Sequence, residues 1–94
     1  MAEKITKELV LLNRYGMHVR PAGLFAKLAS RYDADICVEK DGNVVSGKSI
    51  MALMTLEAVC GTKLIVSAEG PQAREALDEL EQLVARKFDI PDEQ

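Results

Sequence analysis

The chain has 94 residues and a formal net charge of −3, and 48% of its residues are hydrophobic while 29% are charged. These proportions are typical of one folded domain over residues 1–94 and exclude a disordered chain. The acidic balance, with two tyrosines, two phenylalanines and no tryptophan, argues against nucleic-acid binding, which requires a basic surface with stacking rings.

Targeting and metal-binding features are missing from the sequence. No apolar run approaches the roughly 18 residues of a membrane helix, and the first residues lack the apolar core of a signal peptide. We therefore expect a cytoplasmic protein that does not insert into membranes. Two cysteines, Cys37 and Cys60, and one histidine are too few for a disulfide framework or a metal site, so no cofactor is expected. Both cysteines lie in apolar runs and are expected to be buried and reduced.

The first half of the chain changes its apolar period twice. Alternation predicts a strand from Lys4 to Leu12, with one face formed by Ile5, Lys7, Leu9 and Leu11. A helical period follows His18 and predicts burial of Ala22, Phe25, Leu28 and Ala29. A short strand at 36–38 then leads through Asp41-Gly42, a strong hairpin turn, into a strand at 44–45.

The second half contains a short helix, a strand and a long helix. Ser49 precedes a markedly apolar helix predicted at 50–56, and Gly61 ends this segment. Residues 63–67 alternate as a strand. Gly70-Pro71 then starts a helix with one apolar stripe, formed by Ala73, Ala76, Leu77, Leu80, Leu83 and Val84.

The element order β-α-β-β-α-β-α predicts an α+β fold. Four strands and three helices in a chain this short favour one four-stranded antiparallel sheet with all three helices on one face, in two layers. We expect strands one and four to be central, because crossover connections bring the chain back beside its start.

The chemistry of the sequence is concentrated in residues 16–21, at the junction of a polar turn and a helix. The free N–H groups of a helix N-terminus bind phosphate, and Pro21 suits a first helical turn. Arg20 provides a planar cation for phosphoryl oxygens, and Gly16 leaves room for a second protein to approach His18. These residues indicate a nucleophilic histidine beside an anion site. From local physics alone, a solvated capping role for His18 remains the alternative.

The apolar helix after Ser49 has more hydrophobic residues than one face can bury. Serine favours the N-cap position, so Ser49 is either a cap alone or a cap and a modification site, since a phosphate is tolerated there. Core packing must account for some of the side chains of this helix. We define its candidate docking patch as Ile50, Met51 and Met54, and we expect Met51 to be its exposed centre beside His18.

Three segments resemble HPr, the histidine-containing phosphocarrier family of the phosphoenolpyruvate-dependent phosphotransferase system. They are Gly16–Ala22, the run Lys48-Ser49-Ile50-Met51, and the turn Ser67-Ala68-Glu69-Gly70 before the last helix. The resemblance implies an open-faced β-sandwich that works as a monomeric, stoichiometric carrier rather than an enzyme.

The resemblance also implies roles for individual residues and partners. His18 corresponds to the histidine phosphorylated on Nδ1, Arg20 to the arginine that assists the phosphoryl group, and Ser49 to the regulatory serine. In that family enzyme I donates the phosphoryl group of phosphoenolpyruvate, an EIIA-type protein receives it, and in some members an HPr kinase/phosphorylase modifies the serine.

Several residues depart from the family pattern and leave alternatives open. Tyr15 stands where many members have a small polar residue that helps orient the histidine, and Val19 and Gly23 replace commoner small residues. Met17 and the acidic tail at 92–93 resemble the nitrogen-related NPr branch, so sugar transport and nitrogen control both remain open. A regulatory module that acts only by docking is a further alternative. An acyl carrier is a poor match, because such carriers are all-helical and have an acidic residue before the modified serine, where this chain has Lys48. A hydrolase is excluded by the lack of a base, a metal set or a second histidine.

Overall fold

The computed structural model describes residues 4–90 and has the predicted α+β architecture. Its strands form one antiparallel sheet, and its helices cover one face of that sheet. The elements in chain order are β1 (Lys4–Val10), α1 (Val19–Ala29), β2 (Asp35–Lys40), β3 (Asn43–Ser46), α2 (Ile50–Met54), β4 (Lys63–Glu69) and α3 (Ala73–Ala85).

The strand order is β1-β4-β2-β3, which corrects one expectation. β4 is central as predicted, but β1 is an edge strand and β2 takes the other central position. The connection through α1 places β2 two positions away from β1, and β4 fills the gap between them, antiparallel to both. In register, Val66 of β4 lies opposite Lys7 of β1 and Val38 of β2.

The core lies between the sheet and the helices. All six residues of the predicted α3 stripe are buried, as are Phe25 and Ala22 of α1, whereas Leu28 is only partly buried. The inward residues of the strands match the period of two: Leu9, Ile36, Val38, Leu64, Val66 and Ala68. This alternation confirms the predicted faces of the sheet.

Lys7 lies on the helix-covered face, and α3 explains why a lysine is tolerated there. Its Nζ atom donates to Glu81 Oε1 at 2.6 Å and to Asp78 Oδ1 at 3.1 Å. The hydrogen bond to Glu81, followed by that to Asp78, raises the pKa of Lys7 above its ordinary value. The charged end therefore links the edge strand to the last helix.

The predicted burial of both cysteines is wrong, although both are free thiols as predicted. Cys37 alternates with the buried residues Ile36 and Val38, so it points to the open face of the sheet and is partly exposed. Cys60 is exposed in the turn before β4, where its Sγ atom lies 3.7 Å from the carbonyl oxygen of Leu12. An apolar neighbourhood in sequence does not bury a residue in a turn.

The last described turn, Lys87–Asp89, has no counterpart among the predicted elements. All three of its residues have positive φ values, between 56° and 59°, a conformation unfavourable for side chains with a Cβ. Phe88 is fully buried in this turn, and Arg86 pairs with Asp89 at 3.1 Å. Burial of the Phe88 ring offsets the cost of the left-handed backbone.

Candidate functional site

His18 is the N-cap residue of α1. Its backbone is extended, with φ −93° and ψ −170°, and its carbonyl oxygen accepts from the N–H of Ala22 at 2.9 Å. The imidazole is partly exposed and makes no capping hydrogen bond with the helix. The backbone of His18 therefore begins the helix, while its imidazole makes no hydrogen bond to it.

The N-terminus of α1 has unused donors beside this imidazole. Within residues 4–90 the N–H groups of Val19 and Arg20 find no acceptor, and Pro21 has no N–H to satisfy. The helix is 11 residues long, so its dipole adds partial positive charge at this end. The geometry suits the oxygens of a bound anion.

Arg20 lies in the first turn of α1, two residues after His18. Its side chain is exposed, and no carboxylate of residues 4–90 pairs with it. The guanidinium is therefore available to an external anion.

The loop before His18 is fixed by the buried side chain of Asn13. Its Nδ2 atom donates to the carbonyl oxygen of Gly16 at 2.7 Å, and this oxygen also accepts the N–H of His18 at 3.0 Å. The Asn13 Oδ1 atom is buried with no partner among the described residues. Asn13 was not among the residues predicted from the sequence, although asparagine is a common turn residue whose side chain bonds to nearby backbone.

Gly16 is required by a contact within the chain rather than by a partner. Its φ is +69°, and a Cβ atom built there would lie 2.2 Å from the Ala58 oxygen and 2.7 Å from the Val59 Cα. The N–H of Met17 also donates to the Ala58 oxygen at 2.8 Å. The interpretation that Gly16 leaves room for a second protein is therefore wrong, because the segment after α2 occupies that space.

Tyr15 contacts the imidazole directly. The Tyr15 and His18 ring centroids lie 6.2 Å apart with an interplanar angle of 82°, an edge arrangement. The guanidinium carbon of Arg14 lies 5.3 Å from the Tyr15 centroid. The three side chains thus form a series, Arg14, Tyr15 and His18, on the outside of the loop.

Ser49 is the N-cap residue of α2. Its Oγ atom accepts from the N–H of Ala52 at 3.1 Å, and its side chain is partly exposed. The preceding Lys48 is held by a bond from its Nζ atom to the Tyr32 carbonyl oxygen at 3.2 Å. The predicted capping role is confirmed, whereas modification of Ser49 remains a prediction.

α2 divides its apolar side chains between the core and solvent. Leu53 is fully buried, whereas the docking patch is exposed: Ile50 by 42%, Met51 by 80% and Met54 by 39%. The Cδ1 atom of Ile50 lies 3.9 Å from the position of a Cβ atom on Gly23, so the patch adjoins α1. The helix ends at Met54, two residues earlier than predicted.

Four more large apolar side chains are exposed in the segments before and after His18 and after α2, and they were not predicted as a group from the sequence. They belong to the loop before α1, to its first residue and to the turn after α2: Leu12, Tyr15, Val19 and Val59. These residues lie outside the apolar stripes predicted for the strands and helices, which is the only indication of their exposure in the sequence. Of these, Tyr15 pairs with the His18 ring, and the backbone of Val59 lies beside Gly16.

Metal binding and membrane spanning find no support in the described residues. Residues 4–90 contain no group of three or more His, Cys, Asp or Glu side chains that could hold a metal ion. No helix within that range is both long and apolar enough to cross a lipid bilayer.

Comparisons with known proteins agree with this arrangement. A family model described as the PTS HPr component phosphorylation site matches residues 5–86. The phosphocarrier protein HPr of Borreliella burgdorferi is 44% identical over 80 residues, which cover 85% of this chain and 93% of that protein. A crystal structure of HPr-C-His from Thermoanaerobacter tengcongensis gives a TM-score of 0.85 at 39% identity, covering 94% of this chain and 97% of the other.

A crystal structure of Crh, described as the Bacillus subtilis catabolite repression containing protein with domain swapping in an intertwined dimer, is a further neighbour. It gives a TM-score of 0.72 at 40% identity and covers 79% of this chain and 85% of the other. The extent of these matches, over most of both partners in each comparison, shows that the chain belongs to the HPr family of phosphocarrier proteins of the phosphotransferase system.

Proposed function

We propose that this chain accepts a phosphoryl group on His18 from enzyme I and passes it to an EIIA-type protein, acting as a monomer in the cytoplasm. The observation that carries the proposal is the open start of α1. A partly exposed imidazole without a capping bond lies at a helix end whose first N–H groups have no acceptor within residues 4–90. A structural histidine would bond to one of those groups.

The transfer requires few groups from the carrier itself. The Nδ1 lone pair of neutral His18 attacks the phosphorus of phosphorylated enzyme I. The new Nδ1–P bond forms as the bond to the enzyme I residue breaks. In the second transfer His18 is the donor, and its Nδ1–P bond breaks as the acceptor protein bonds to the phosphorus. The N–H groups of Val19 and Arg20 and the Arg20 guanidinium bind the phosphoryl oxygens as charge shifts between them. Donor and acceptor proteins supply the remaining catalytic groups.

The docking patch serves both partners in this proposal. Ile50, Met51 and Met54 are exposed, and Ile50 lies next to α1, the helix that His18 begins. Methionine side chains are unbranched and adaptable, which suits a surface that meets two different proteins in turn. The patch would therefore bring His18 to each partner in the same orientation.

Ser49 is the proposed regulatory residue. It opens the helix that carries the docking patch, so a phosphate on its hydroxyl would add close to two negative charges at the edge of an apolar contact. An HPr kinase/phosphorylase is the enzyme that this regulation would require. The run Lys48-Ser49-Ile50-Met51 favours this sugar-linked regulation, whereas Met17 and the acidic tail favour a nitrogen-related output. The tail lies outside the described residues.

A second candidate is a regulator that acts by docking without phosphoryl transfer. The similarity to Crh is the observation that favours it, because that relative is described as a catabolite repression protein. The two candidates share the docking patch and differ in their need for His18. The retained histidine, with unused helix donors beside it, supports the carrier.

The test is phosphorylation with enzyme I and labelled phosphoenolpyruvate. The wild-type chain should take up acid-labile, alkali-stable label, and His18→Ala should take up none. Arg20→Ala should accept label about ten- to a hundredfold more slowly without unfolding, because one charge-assisted donor to the moving phosphoryl group is lost. Retention of label by His18→Ala would refute the proposal, and a wild-type chain that is never labelled would favour the docking regulator.

A further inference from the structure

We infer that Tyr15 is a positioning residue for His18 and that Arg14 fixes the Tyr15 ring in that role. The inference rests on the proposed phosphorylation of His18 and deepens it. It is carried by two contacts in series: Arg14 over the Tyr15 face, and Tyr15 perpendicular to the imidazole.

Core packing does not explain the Tyr15 ring. The side chain is 52% exposed in the loop before α1, outside the buried cluster. A tyrosine in an exposed loop is free to point into solvent, yet this ring lies 6.2 Å from the imidazole centroid at 82°. Aromatic pairs prefer such perpendicular arrangements at this separation. The ring therefore has a defined partner, and that partner is the proposed nucleophile.

Arg14 packs over the exposed Tyr15 ring and stabilises its orientation. Its guanidinium carbon lies 5.3 Å from the Tyr15 centroid, within the range of a cation–π interaction, and no carboxylate of residues 4–90 pairs with it. Arginine stacks well on aromatic faces because its charge is planar and weakly hydrated. The Tyr15 ring is thus contacted by Arg14 and by His18.

Restraint of the imidazole matters because backbone contacts hold His18 only at its main chain. The bonds from Asn13 and to Gly16 fix the loop, and the helix fixes the His18 carbonyl, but no hydrogen bond holds the ring itself. In-line attack on phosphorus requires the Nδ1 lone pair to point at the donor. A contact that restricts rotation of the imidazole before the partner binds therefore favours the reaction. Tyr15 supplies that restraint through a ring edge.

The alternative is that Tyr15 contacts the partner proteins, as an exposed aromatic residue often does. The two roles predict different kinetics. A positioning residue changes the maximal transfer rate and also changes the reaction with a small donor. A docking residue changes KM for the carrier and leaves the small-donor reaction as it is.

The experiment measures His18 phosphorylation by enzyme I, with kcat and KM for the carrier separated, and by phosphoramidate. With phosphoramidate the Nδ1–P bond forms while the P–N bond of the donor breaks and ammonia leaves, so no protein docking is involved. The variants are Tyr15→Ala, Tyr15→Phe, Tyr15→Leu and Arg14→Gln. Lys4→Gln is the matched control, since it removes an exposed positive charge at the other end of β1.

We expect Tyr15→Ala and Tyr15→Leu to lower both maximal rates about two- to tenfold with KM unchanged, which is the worth of one aromatic pair. Tyr15→Phe keeps the ring and should stay within about twofold of wild type, and Arg14→Gln should fall between. Lys4→Gln should match wild type. All five should melt near wild type, since these side chains lie outside the core.

Three results would overturn the positioning role: wild-type rates in Tyr15→Ala, a loss confined to KM, or equal losses in Tyr15→Phe and Tyr15→Ala. The chain could instead be phosphorylated by phosphoramidate in a Tyr15-dependent way but not by enzyme I. That result would refute the proposed function and support the positioning role. The two failures are therefore distinguishable.

Discussion

The N-termini of α1 and α2 differ in whether the side chain of the N-cap residue caps the helix. Ser49 closes α2 with its own side chain, which accepts the Ala52 N–H at 3.1 Å. His18 occupies the same N-cap position of α1 and gives its helix no side-chain bond. α2 follows the usual rule of helix capping, in which a serine side chain accepts a free N–H group. α1 departs from this rule at His18, the proposed nucleophile.

Under the proposed function, this difference separates the residues that hold the chain from the residue that reacts. At α1 the task of fixing the chain passes to residues that do not react: Asn13 ties down the Gly16 carbonyl, and Gly16 packs on the backbone after α2. The imidazole and the first helix donors stay available as a result. At α2 the serine performs the structural task, so a modification there acts on a residue already in use.

The largest expected effect on stability comes from closing the space at Gly16. Gly16→Ala should lower the free energy of unfolding by about 2–5 kcal/mol, since the Cβ would meet the Ala58 oxygen in a backbone conformation that disfavours side chains. Urea unfolding measures this. Gly42→Ala is the control: φ there is +85°, but nothing lies within 4 Å, so only about 1–2 kcal/mol should be lost. Equal losses would show that packing under Gly16 is unimportant.

Negative charge at the start of α2 should damage transfer more than folding. Ser49→Asp and Met51→Glu should slow His18 phosphorylation by enzyme I by about one to three orders of magnitude, because a charge at a desolvating contact is costly, while both variants melt near wild type. Val44→Glu is the matched control, since Val44 is 59% exposed in β3 and lies outside the docking patch. Wild-type rates in Ser49→Asp and Met51→Glu would mean that α2 is only core and cap.

Truncation of the two N-cap side chains tests the comparison itself. Ser49→Ala should cost about 1 kcal/mol of unfolding free energy, since the Ala52 N–H loses its acceptor. His18→Ala should change stability by less than about 0.5 kcal/mol, as expected for a partly exposed side chain without a structural bond. Chemical unfolding of both variants in one buffer is the measurement. A larger loss in His18→Ala than in Ser49→Ala would reverse the assignment of roles.

The smallest expected effect is a gain. Gly23 lies inside α1 with room for a methyl group, because a Cβ there would have only Ile50 Cδ1 nearby, at 3.9 Å. Gly23→Ala should raise the free energy of unfolding by about 0.5–1 kcal/mol through helix propensity, read from the shift in melting temperature and urea midpoint. A loss of stability would show that α1 and α2 pack more tightly at this point than the distances indicate.

The sequence predicted those features that depend on local periodicity and chemistry. The α3 stripe and the alternation of β1 follow from spacing, and the capping role of Ser49 follows from the preference of serine for that position; all three are confirmed. The edge position of β1 and the exposure of Cys60 were missed, because both depend on where distant segments lie. The contact of Gly16 with residues 58–59 is of the same kind.

Local motifs therefore supplied the candidate site residues, and long-range packing determined which residues hold the loop before His18. Asn13 was missed because burial of a polar side chain cannot be read from a turn. The contact of Tyr15 with His18 could not be predicted either, because it depends on side-chain rotation.

The most direct measurement is the position of the phosphoryl group on the intact protein. The chain, labelled with ¹⁵N at histidine, is incubated with enzyme I and phosphoenolpyruvate and followed by ¹⁵N and ³¹P NMR. Phosphorus bonded to the Nδ1 atom of His18, at one group per chain and lost in acid, is the predicted result. An unmodified imidazole under conditions in which enzyme I is itself phosphorylated, or phosphorus bonded to any other residue, would contradict the carrier function.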